Sequence, residues 1–238
     1  LTGAGMSVES GLGTFRGGGG LWDNYPVEKV ATPEGYATDP ELVLEFYNRR
    51  RRELLVVQPN EGHRLVASLE GRFNVTGVTL EEKYNVTVVT QNIDDLHERG
   101  GSTNIIHLHG ELMKACSSRQ PQNLDYVCTL PSPDTDLHIG DKAADGSQLR
   151  PYIVWFGGYV SGMEVAERHV READIFAVIG TSLSVYPAAG LTRYAHGSVP
   201  KFVVDPHMEV IPTGFIHIKD TATRGVAQLK IEIEKLSY

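Results

Sequence analysis

Two short polar segments in the middle of the chain contain most of the side chains that could take part in catalysis. The first is residues 90–97, Thr-Gln-Asn-Ile-Asp-Asp-Leu-His, and the second is residues 107–111, His-Leu-His-Gly-Glu. Together they offer amides, a carboxylate and an imidazole that titrates near neutral pH, which can hold a polar ligand and move a proton. Taken alone, each segment is equally compatible with loop polarity at a strand end and a buried structural histidine.

Both segments follow runs of apolar and β-branched residues. Val86-Thr87-Val88-Val89 precedes the first segment, and Asn104-Ile105-Ile106 precedes the second. Such runs are typical of buried strands in a parallel sheet. Because α/β folds bind ligands just outside the carboxyl ends of their strands, we expect the amides, the carboxylate and the imidazole to meet at one edge of a sheet.

Composition narrows the class of protein. The chain has 238 residues, of which 41% are hydrophobic, enough for one large domain or a domain with a smaller lobe. The net charge of -8 argues against nucleic-acid binding, which usually needs a basic face. No apolar run reaches the roughly 18 residues of a membrane span, and no signal peptide is visible. With only two cysteines, the chain is therefore predicted to be cytoplasmic. No feature of the sequence selects an oligomeric state.

The first seven residues, Leu-Thr-Gly-Ala-Gly-Met-Ser, indicate a strand end that turns into a helix. Glycines there let the backbone approach a phosphate, and a helix N-terminus offers free N–H groups. Since a strand normally precedes such a loop, we expect further residues before Leu1. The glycine run from Gly17 to Gly20 predicts a lid that closes over a dinucleotide.

The string from Gly3 to Gly17 resembles the cofactor-loop signature of the sirtuin family, the NAD-dependent protein deacylases. Three further segments match family motifs in the same order: Gln91-Asn92-Ile93-Asp94, His109-Gly110-Glu111 and Gly180-Thr181-Ser182. The resemblance extends to at least Asp205. It implies an α/β fold with a doubly wound, parallel, Rossmann-like sheet and a second, smaller lobe.

The resemblance also implies roles for individual residues. His109 would be the general base on a ribose hydroxyl of NAD. Asn92 and Asp94, the other two residues expected to be catalytic, would hold the nicotinamide amide group. Products would be deacylated lysine, nicotinamide and acyl-ADP-ribose. The residues implied to bind NAD are Gly3, Ala4, Gly5, Phe15, Arg16, Gln91, Asn92, Ile93, Asp94, Gly180, Thr181, Ser182, Asp205 and Ala222.

A Tyr-x-x-Arg pair, Tyr47 and Arg50, resembles the marker of the sirtuin branch that acts on acidic acyl-lysines such as succinyl-lysine. Asp39 and Pro40 predict the start of a helix that runs from Glu41 to about Val57, where residues three apart share a face. Arginine can bind a carboxylate through two N–H groups, and tyrosine adds a hydroxyl donor. A small residue, Ala31, would leave room for a longer acyl group. The alternative is an ordinary exposed pair; the rest of the arginine run is interpreted as a solvated basic face: Arg49, Arg51 and Arg52.

Residues 150–158 are predicted to re-enter the main domain as a strand. The resemblance implies that this backbone pairs with an extended substrate peptide, with Val154, Phe156 and Gly157 as contacts. The family usually has glutamate where this chain has Gly158, which leaves the peptide preference open. The predicted partners are acyl-lysine proteins or peptides.

The predicted organisation places the NAD-binding domain in residues 1–30, 58–115 and 150–238, a helical acyl-pocket insertion in 31–57 and the small lobe in 116–149. In many sirtuins that lobe holds a structural zinc through two Cys-x-x-Cys motifs. Here Cys116 and Cys128 have no paired partners and His138 is the only other soft ligand in the segment, whereas structural zinc needs four ligands. We predict that zinc is absent and that packing alone holds the lobe; three ligands plus a borrowed group is the alternative.

Other activities could use the same NAD site. An ADP-ribosyltransferase or NAD glycohydrolase would have no use for Tyr47 and Arg50, and a sensor would not need all of Asn92, Asp94 and His109. A dehydrogenase would need a normally spaced third glycine after Gly3-Ala4-Gly5. The sequence therefore predicts an NAD-dependent lysine deacetylase and desuccinylase.

Overall fold

The computed structural model describes residues 1–14, 25–70 and 84–236. Phe15, Arg16 and the predicted glycine lid lie outside the described residues. Within the described part of the chain, no helix is long and apolar enough to cross a bilayer.

The sequence predicts a repeated strand–loop–helix order, but the described residues do not alternate regularly. The strands are β1 (Val88–Thr90), β2 (Ile105–His107), β3 (Gly110–Ser117), β4 (Cys128–Thr129), β5 (Leu149–Ile153), β6 (Phe176–Ile179), β7 (Lys201–Val204) and β8 (Ile216–Ile218). The α-helices are α1 (Val27–Val30), α2 (Pro33–Thr38), α3 (Pro40–Val56), α4 (Glu61–Leu69), α5 (Leu96–Gly100), α6 (Met163–Glu172) and α7 (Ala222–Lys235). Among the described residues, four α-helices precede β1, and β2 to β5 follow one another without an α-helix between them.

A parallel sheet forms the centre of the main domain. β1 pairs with β2, while β6 pairs with β7 and β7 with β8, all in parallel. Thr2 joins the β1–β2 pair to the β6–β7–β8 group, because it forms parallel bridges with both Thr90 and Ile179. The spatial order is therefore β2, β1, the segment at Thr2, β6, β7 and β8. Strand β8 was not predicted from the sequence.

Both faces of this sheet are buried. Neighbouring strand residues such as Val203 and Val204 enter different clusters, because successive side chains point to opposite faces. Helices α4 and α7 cover one face, through residues such as Val66 and Leu229. Helix α6 and a 3-10 helix, Ala188–Arg193, cover the other. These layers confirm the predicted doubly wound α/β fold.

Helix α3 packs between the strand ends of the main domain and the small lobe. Asp39 caps its N-terminus, as predicted, by accepting a hydrogen bond from the Leu42 N–H at 3.0 Å. Arg51 is fully buried and donates to the Leu112 carbonyl oxygen at 3.4 Å and to the Asn48 side chain. Burial lowers its pKa to about 10. The interpretation of the arginine run as a solvated face is therefore wrong for Arg51, because this helix has packing partners on two sides.

The small lobe is a three-stranded antiparallel sheet in the order β4, β3, β5. Hydrogen bonds to Asp145 connect the end of β3 to the segment before β5. The Ser117 hydroxyl donates to Asp145 Oδ2 at 2.7 Å, and the Ser147 hydroxyl donates to Asp145 Oδ1 at 2.6 Å. These bonds lower the pKa of Asp145 to about 2. The expectation that packing alone holds the lobe is therefore wrong.

The two cysteines do not fit a structural zinc site. Cys116 is buried, its thiol lies 3.7 Å from the Pro151 carbonyl oxygen, and burial raises its pKa to about 11. Cys128 is exposed on β4. Zinc is bound by thiolates, and the burial of Cys116 disfavours the thiolate form of that residue. Among the described residues, the one group of three or more side chains close enough to share a metal contains neither cysteine.

The start of the chain is tied to the last helix. The Glu9 carboxylate accepts hydrogen bonds from the Thr223 N–H at 2.8 Å, the Thr223 hydroxyl at 2.7 Å and the Thr221 hydroxyl at 3.1 Å. A carboxylate at the first turn of a helix satisfies N–H groups that have no partner within the helix. Glu9 therefore caps α7 from more than 200 residues away in the chain.

Candidate active site

Three loops meet where the parallel strands end. The loop after Thr2 contacts the loop after β1 through the Gln91 N–H, which donates to the Thr2 carbonyl oxygen at 3.0 Å. The Gln91 side chain donates to the Thr181 hydroxyl at 3.1 Å and so joins this loop to the one after β6. The residues predicted from three separate motifs are thereby brought together.

Glycines at this junction are required by loop packing. A Cβ on Gly3 would lie 2.6 Å from Thr181 Cβ, and one on Gly5 would lie 2.7 Å from Gly180 Cα. Gly180 itself has φ +62°, a conformation that favours glycine. The loop continues into 3-10 helices of three residues, and the Gly5 N–H already donates to the Gly180 carbonyl oxygen at 2.8 Å. The expected helix with free N–H groups is therefore absent from residues 4–10.

Asn92 and Asp94 form a polar cluster with Ser7. The Ser7 hydroxyl donates to Asp94 Oδ2 at 2.9 Å, and Asn92 Nδ2 lies 3.2 Å from the same hydroxyl and 3.0 Å from the Gly3 carbonyl oxygen. Burial raises the pKa of Asp94, although the Leu96 N–H and Ser7 partly offset this. Sequence reasoning did not select Ser7; its position two residues after Gly5 in the cofactor loop was the available signal.

A pocket of about 360 Å³, part of it open to solvent, lies over this cluster. Its apolar lining includes Leu12, Leu54, Ile93 and Leu112, and its polar lining consists of Ser7, Arg50, Asn92 and Asp94. An apolar slot with a carboxylate acceptor and an amide at one end fits an aromatic ring that has a carboxamide substituent. The side chains present therefore fit the nicotinamide end of NAD.

His109 is not part of the lining of this pocket, and its ring contacts the loop that contains Asn92. Its Nδ1–H donates to the Gln91 carbonyl oxygen at 3.0 Å, which leaves Nε2 as the atom with the lone pair. Burial lowers the pKa of His109, and the bond to Gln91 offsets only part of that effect. The structure thus holds a neutral imidazole, able to accept a proton, next to Asn92.

The two residues of the Tyr-x-x-Arg pair are both buried on α3, but they have different surroundings. Arg50 lines the pocket and forms an ion pair of 2.6 Å with Glu53. The Tyr47 hydroxyl accepts a hydrogen bond from Trp155 Nε1 at 3.1 Å, and burial raises its pKa. Ala31 is also buried, and its carbonyl oxygen accepts from the Phe156 N–H at 3.0 Å. An ordinary exposed pair is excluded by this burial.

The predicted peptide-pairing stretch follows β5. The Val154 N–H donates to the His109 carbonyl oxygen at 2.9 Å, and Gly157 has φ +80° in the turn that follows. With the Phe156 N–H bonded to Ala31, an added peptide strand would pair through other backbone groups of this stretch. Phe156 itself is 41% exposed.

The remaining residues predicted to bind NAD lie at the ends of β6 and β7 and at the start of α7. Thr181 follows Gly180 directly, and the Ser182 hydroxyl lies 2.8 Å from that of Ser184. The Asp205 carboxylate accepts from the His207 N–H at 2.8 Å. Ala222 is buried at the first position of α7.

The chain is similar in sequence and in structure to proteins of one family. Residues 3–187 match the model of the Sir2 family. The NAD-dependent protein deacylase of Bacteroides thetaiotaomicron is 54% identical over 232 residues, which are 97% of this chain and 94% of that protein. A Sir2 homologue mutant solved with ADP-ribose superposes with a TM-score of 0.83 at 33% identity, covering 99% of this chain and 91% of the other. A Sir2 homologue solved with NAD gives 0.79 at 33% identity, covering 99% and 88%.

Proposed function

The chain belongs to the Sir2 family and is an NAD-dependent protein-lysine deacylase, and we propose that its site removes acidic acyl groups such as succinyl as well as acetyl. The observation that carries this proposal is the presence of Arg50 in the same pocket as Asn92 and Asp94. A guanidinium there would face the group that enters beside the cofactor. On composition we assign the reaction to the cytoplasm.

We assign binding of the nicotinamide amide to Asn92 and Asp94. Asp94 Oδ2 can exchange its bond from Ser7 for one from the nicotinamide amide, while Asn92 stays anchored to the Gly3 carbonyl oxygen. Gln91, Thr181 and the Gly3–Gly5 loop would surround the ribose and phosphate side. NAD, when bound, supplies the sugar carbon that is attacked by the carbonyl oxygen of the acyl-lysine.

We assign proton removal from a ribose hydroxyl to His109. Its Nδ1–H is engaged by Gln91, so Nε2 is the atom that accepts the proton. The lowered pKa keeps the imidazole unprotonated at neutral pH. Asp94 and Gln91 would hold the nicotinamide and the ribose beside His109. The side chains of this protein thus orient the reacting groups and accept one proton.

We assign the carboxylate of an acidic acyl group to Arg50, with helices α1 to α3 forming the acyl pocket. Glu53 already pairs with Arg50, so an incoming carboxylate would compete with it for the guanidinium. The Arg50 side chain is only 9% exposed, and charge-assisted bonds are stronger where water is largely excluded. Tyr47 would support the pocket wall through Trp155.

The test is to mix the protein and NAD with acetyl-lysine or succinyl-lysine peptides and to identify the products by mass. We expect deacylated peptide, nicotinamide and acyl-ADP-ribose from both substrates. Arg50→Leu should reduce desuccinylation by about 10-fold or more relative to deacetylation, since a charge-assisted hydrogen bond contributes roughly 1.5–3 kcal/mol. Arg64→Leu, at an exposed arginine of α4, is the matched control and should change neither rate.

Equal losses for both peptides in Arg50→Leu would refute the assignment of the acyl pocket. Nicotinamide release without deacylated peptide would instead indicate NAD hydrolysis or ADP-ribosyl transfer. The relatives named as deacylases do not favour that alternative.

A further inference from the structure

The imidazoles of His107 and His109, at and just after the end of β2, form hydrogen bonds with successive carbonyl groups of the loop that contains Asn92. His109 Nδ1 lies 3.0 Å from the Gln91 carbonyl oxygen, and His107 Nδ1 lies 3.1 Å from the Asn92 carbonyl oxygen. Among the described residues, His107 alone of the two has an ionic partner on its other nitrogen: its Nε2 lies 2.7 Å from Glu98 Oε1. The two histidines, one strand residue apart, thus have the same backbone contact but different surroundings.

We propose that His107 and Glu98 form a positioning pair that fixes the Asn92 peptide, and hence the nicotinamide contacts, in the orientation needed for NAD binding. This inference depends on the function proposed for Asn92. Neither residue lines the pocket, and both ring nitrogens of His107 are engaged, one by the Asn92 carbonyl oxygen and the other by Glu98. Their effect on NAD therefore passes through the Asn92 backbone. His107 is a positioning residue and not a catalytic one.

Hydrogen-bond capacity explains why this pair needs a charged imidazole. A protonated His107 donates from Nδ1 to the Asn92 carbonyl oxygen and from Nε2 to Glu98 at the same time. A neutral imidazole has one N–H, so it must release either the carbonyl or the carboxylate. The grip on Asn92 is therefore complete only while His107 is protonated.

The groups around His107 favour that protonated state. Burial opposes it, but the bond and charge of Glu98, together with Asn92 and Glu111, raise the pKa of His107 above its ordinary value of 6.5. Among the described residues, the other charged or titratable groups near the pair are Asp94 in the loop, His97 on α5, and Lys114 on β3, which pairs with Glu111 at 2.8 Å. Burial keeps His97 neutral, and the carboxylates outnumber the one lysine.

Three substitutions separate the parts of this pair. His107→Leu removes the donor to Asn92. His107→Asn keeps an N–H near the position of Nδ1 but cannot titrate. Glu98→Gln can turn its amide to donate to a neutral His107 Nε2, so the Nδ1–H stays on Asn92 at every pH. His138→Leu, which removes an exposed imidazole beside Asp141 in the small lobe, is the matched control.

The KM for NAD, kcat and calorimetric NAD binding are measured from about pH 6 to about pH 9. We expect the wild-type KM to rise as pH passes through the raised pKa of His107 and the Glu98→Gln KM to stay flat. His107→Leu should raise the KM about 10-fold or more at low pH, because small misplacements of contact groups are costly. His107→Asn should recover most of this loss, with kcat changed much less than KM.

A wild-type KM for NAD in His107→Leu would overturn the proposal, and so would a pH rise in Glu98→Gln identical to that of the wild type. If His107→Leu does not fold, a flat profile in Glu98→Gln and a KM for NAD close to the wild-type value in His107→Asn still decide the question. Failure of the proposed function looks different, because the wild type would then leave the succinyl-lysine peptide acylated, whereas the KM for NAD would still show whether His107 positions Asn92.

Discussion

Acid should destabilise this fold through a pair of buried histidines behind the active-site loops. The rings of His63 on α4 and His97 on α5 pack edge to face with centroids 4.9 Å apart, and both are fully buried. His63 occupies the N3 position of α4, where its Nδ1 accepts from the Asn60 N–H at 3.3 Å. Glutamine is a usual residue at that position of a capping box, so His63→Gln removes the titrating group and keeps the cap.

The magnitude follows from the pKa of His63, which burial lowers from 6.5 to about 4. Between these values the unfolded chain binds a proton that the folded chain does not. Stability is therefore lost as pH falls through 6.5, and the full cost is reached below about pH 4. At about pH 5 the cost from His63 alone is ~2 kcal/mol. Burial lowers the pKa of His97 as well, so its contribution has the same sign.

Thermal and urea unfolding at about pH 8 and about pH 5 would measure this effect. Relative to the wild type, His63→Gln should gain ~2 kcal/mol on going from the higher to the lower pH, or about 4–8 °C in Tm. His138→Gln, at an exposed imidazole, should follow the wild type at both pH values. A gap between His63→Gln and the wild type that is the same at both pH values would refute the reasoning.

Three further outcomes are expected. His109→Ala should lower turnover by roughly 10²-fold or more while calorimetric NAD binding persists, and the acid limb of kcat in the wild type should lie below pH 6.5 because burial lowers the pKa of His109. Glu53→Gln should raise the ratio of desuccinylation to deacetylation several-fold in a competition assay, because it removes a carboxylate, 2.6 Å from Arg50, that competes with the acyl carboxylate for the guanidinium. Asp145→Asn should lower the Tm while a zinc chelator leaves the wild-type Tm unchanged, because Ser117 and Ser147 bond to Asp145 in the small lobe.

The sequence predicted the parallel sheet and the meeting of its loops well, for a physical reason. Strands buried on both faces are apolar throughout, so their ends are marked by the first polar residues, such as Gln91 after β1. Because all these strands run in the same direction, polar residues at their carboxyl ends share one edge. The positions of Asn92, Asp94 and His109 therefore follow from local patterns.

Other features depend on contacts that local patterns do not reveal. Helix α3 packs on two sides, so Arg51 is buried although its neighbours are charged. The role of Ser7 depends on Asp94, 87 residues further along the chain. Strand β8 is half exposed at the sheet edge, with Ile216 55% accessible, and so lacks the apolar run of a central strand. The burial, contacts and strand pairing of these residues depend on partners that are distant in the sequence.

Because Glu9 caps α7, the stability of the last helix is coupled to the conformation of the first loop. Glu9 follows Gly3 and Gly5 in the same segment, so a ligand that stabilises the position of Glu9 also stabilises the cap on α7, and thermodynamic linkage requires the capped helix to favour that ligand by the same free energy. Fraying of the terminal helix and ligand binding beside Glu9 are therefore coupled equilibria. Substitutions at Thr221 or Thr223 belong with those of the catalytic loops when their effects are compared.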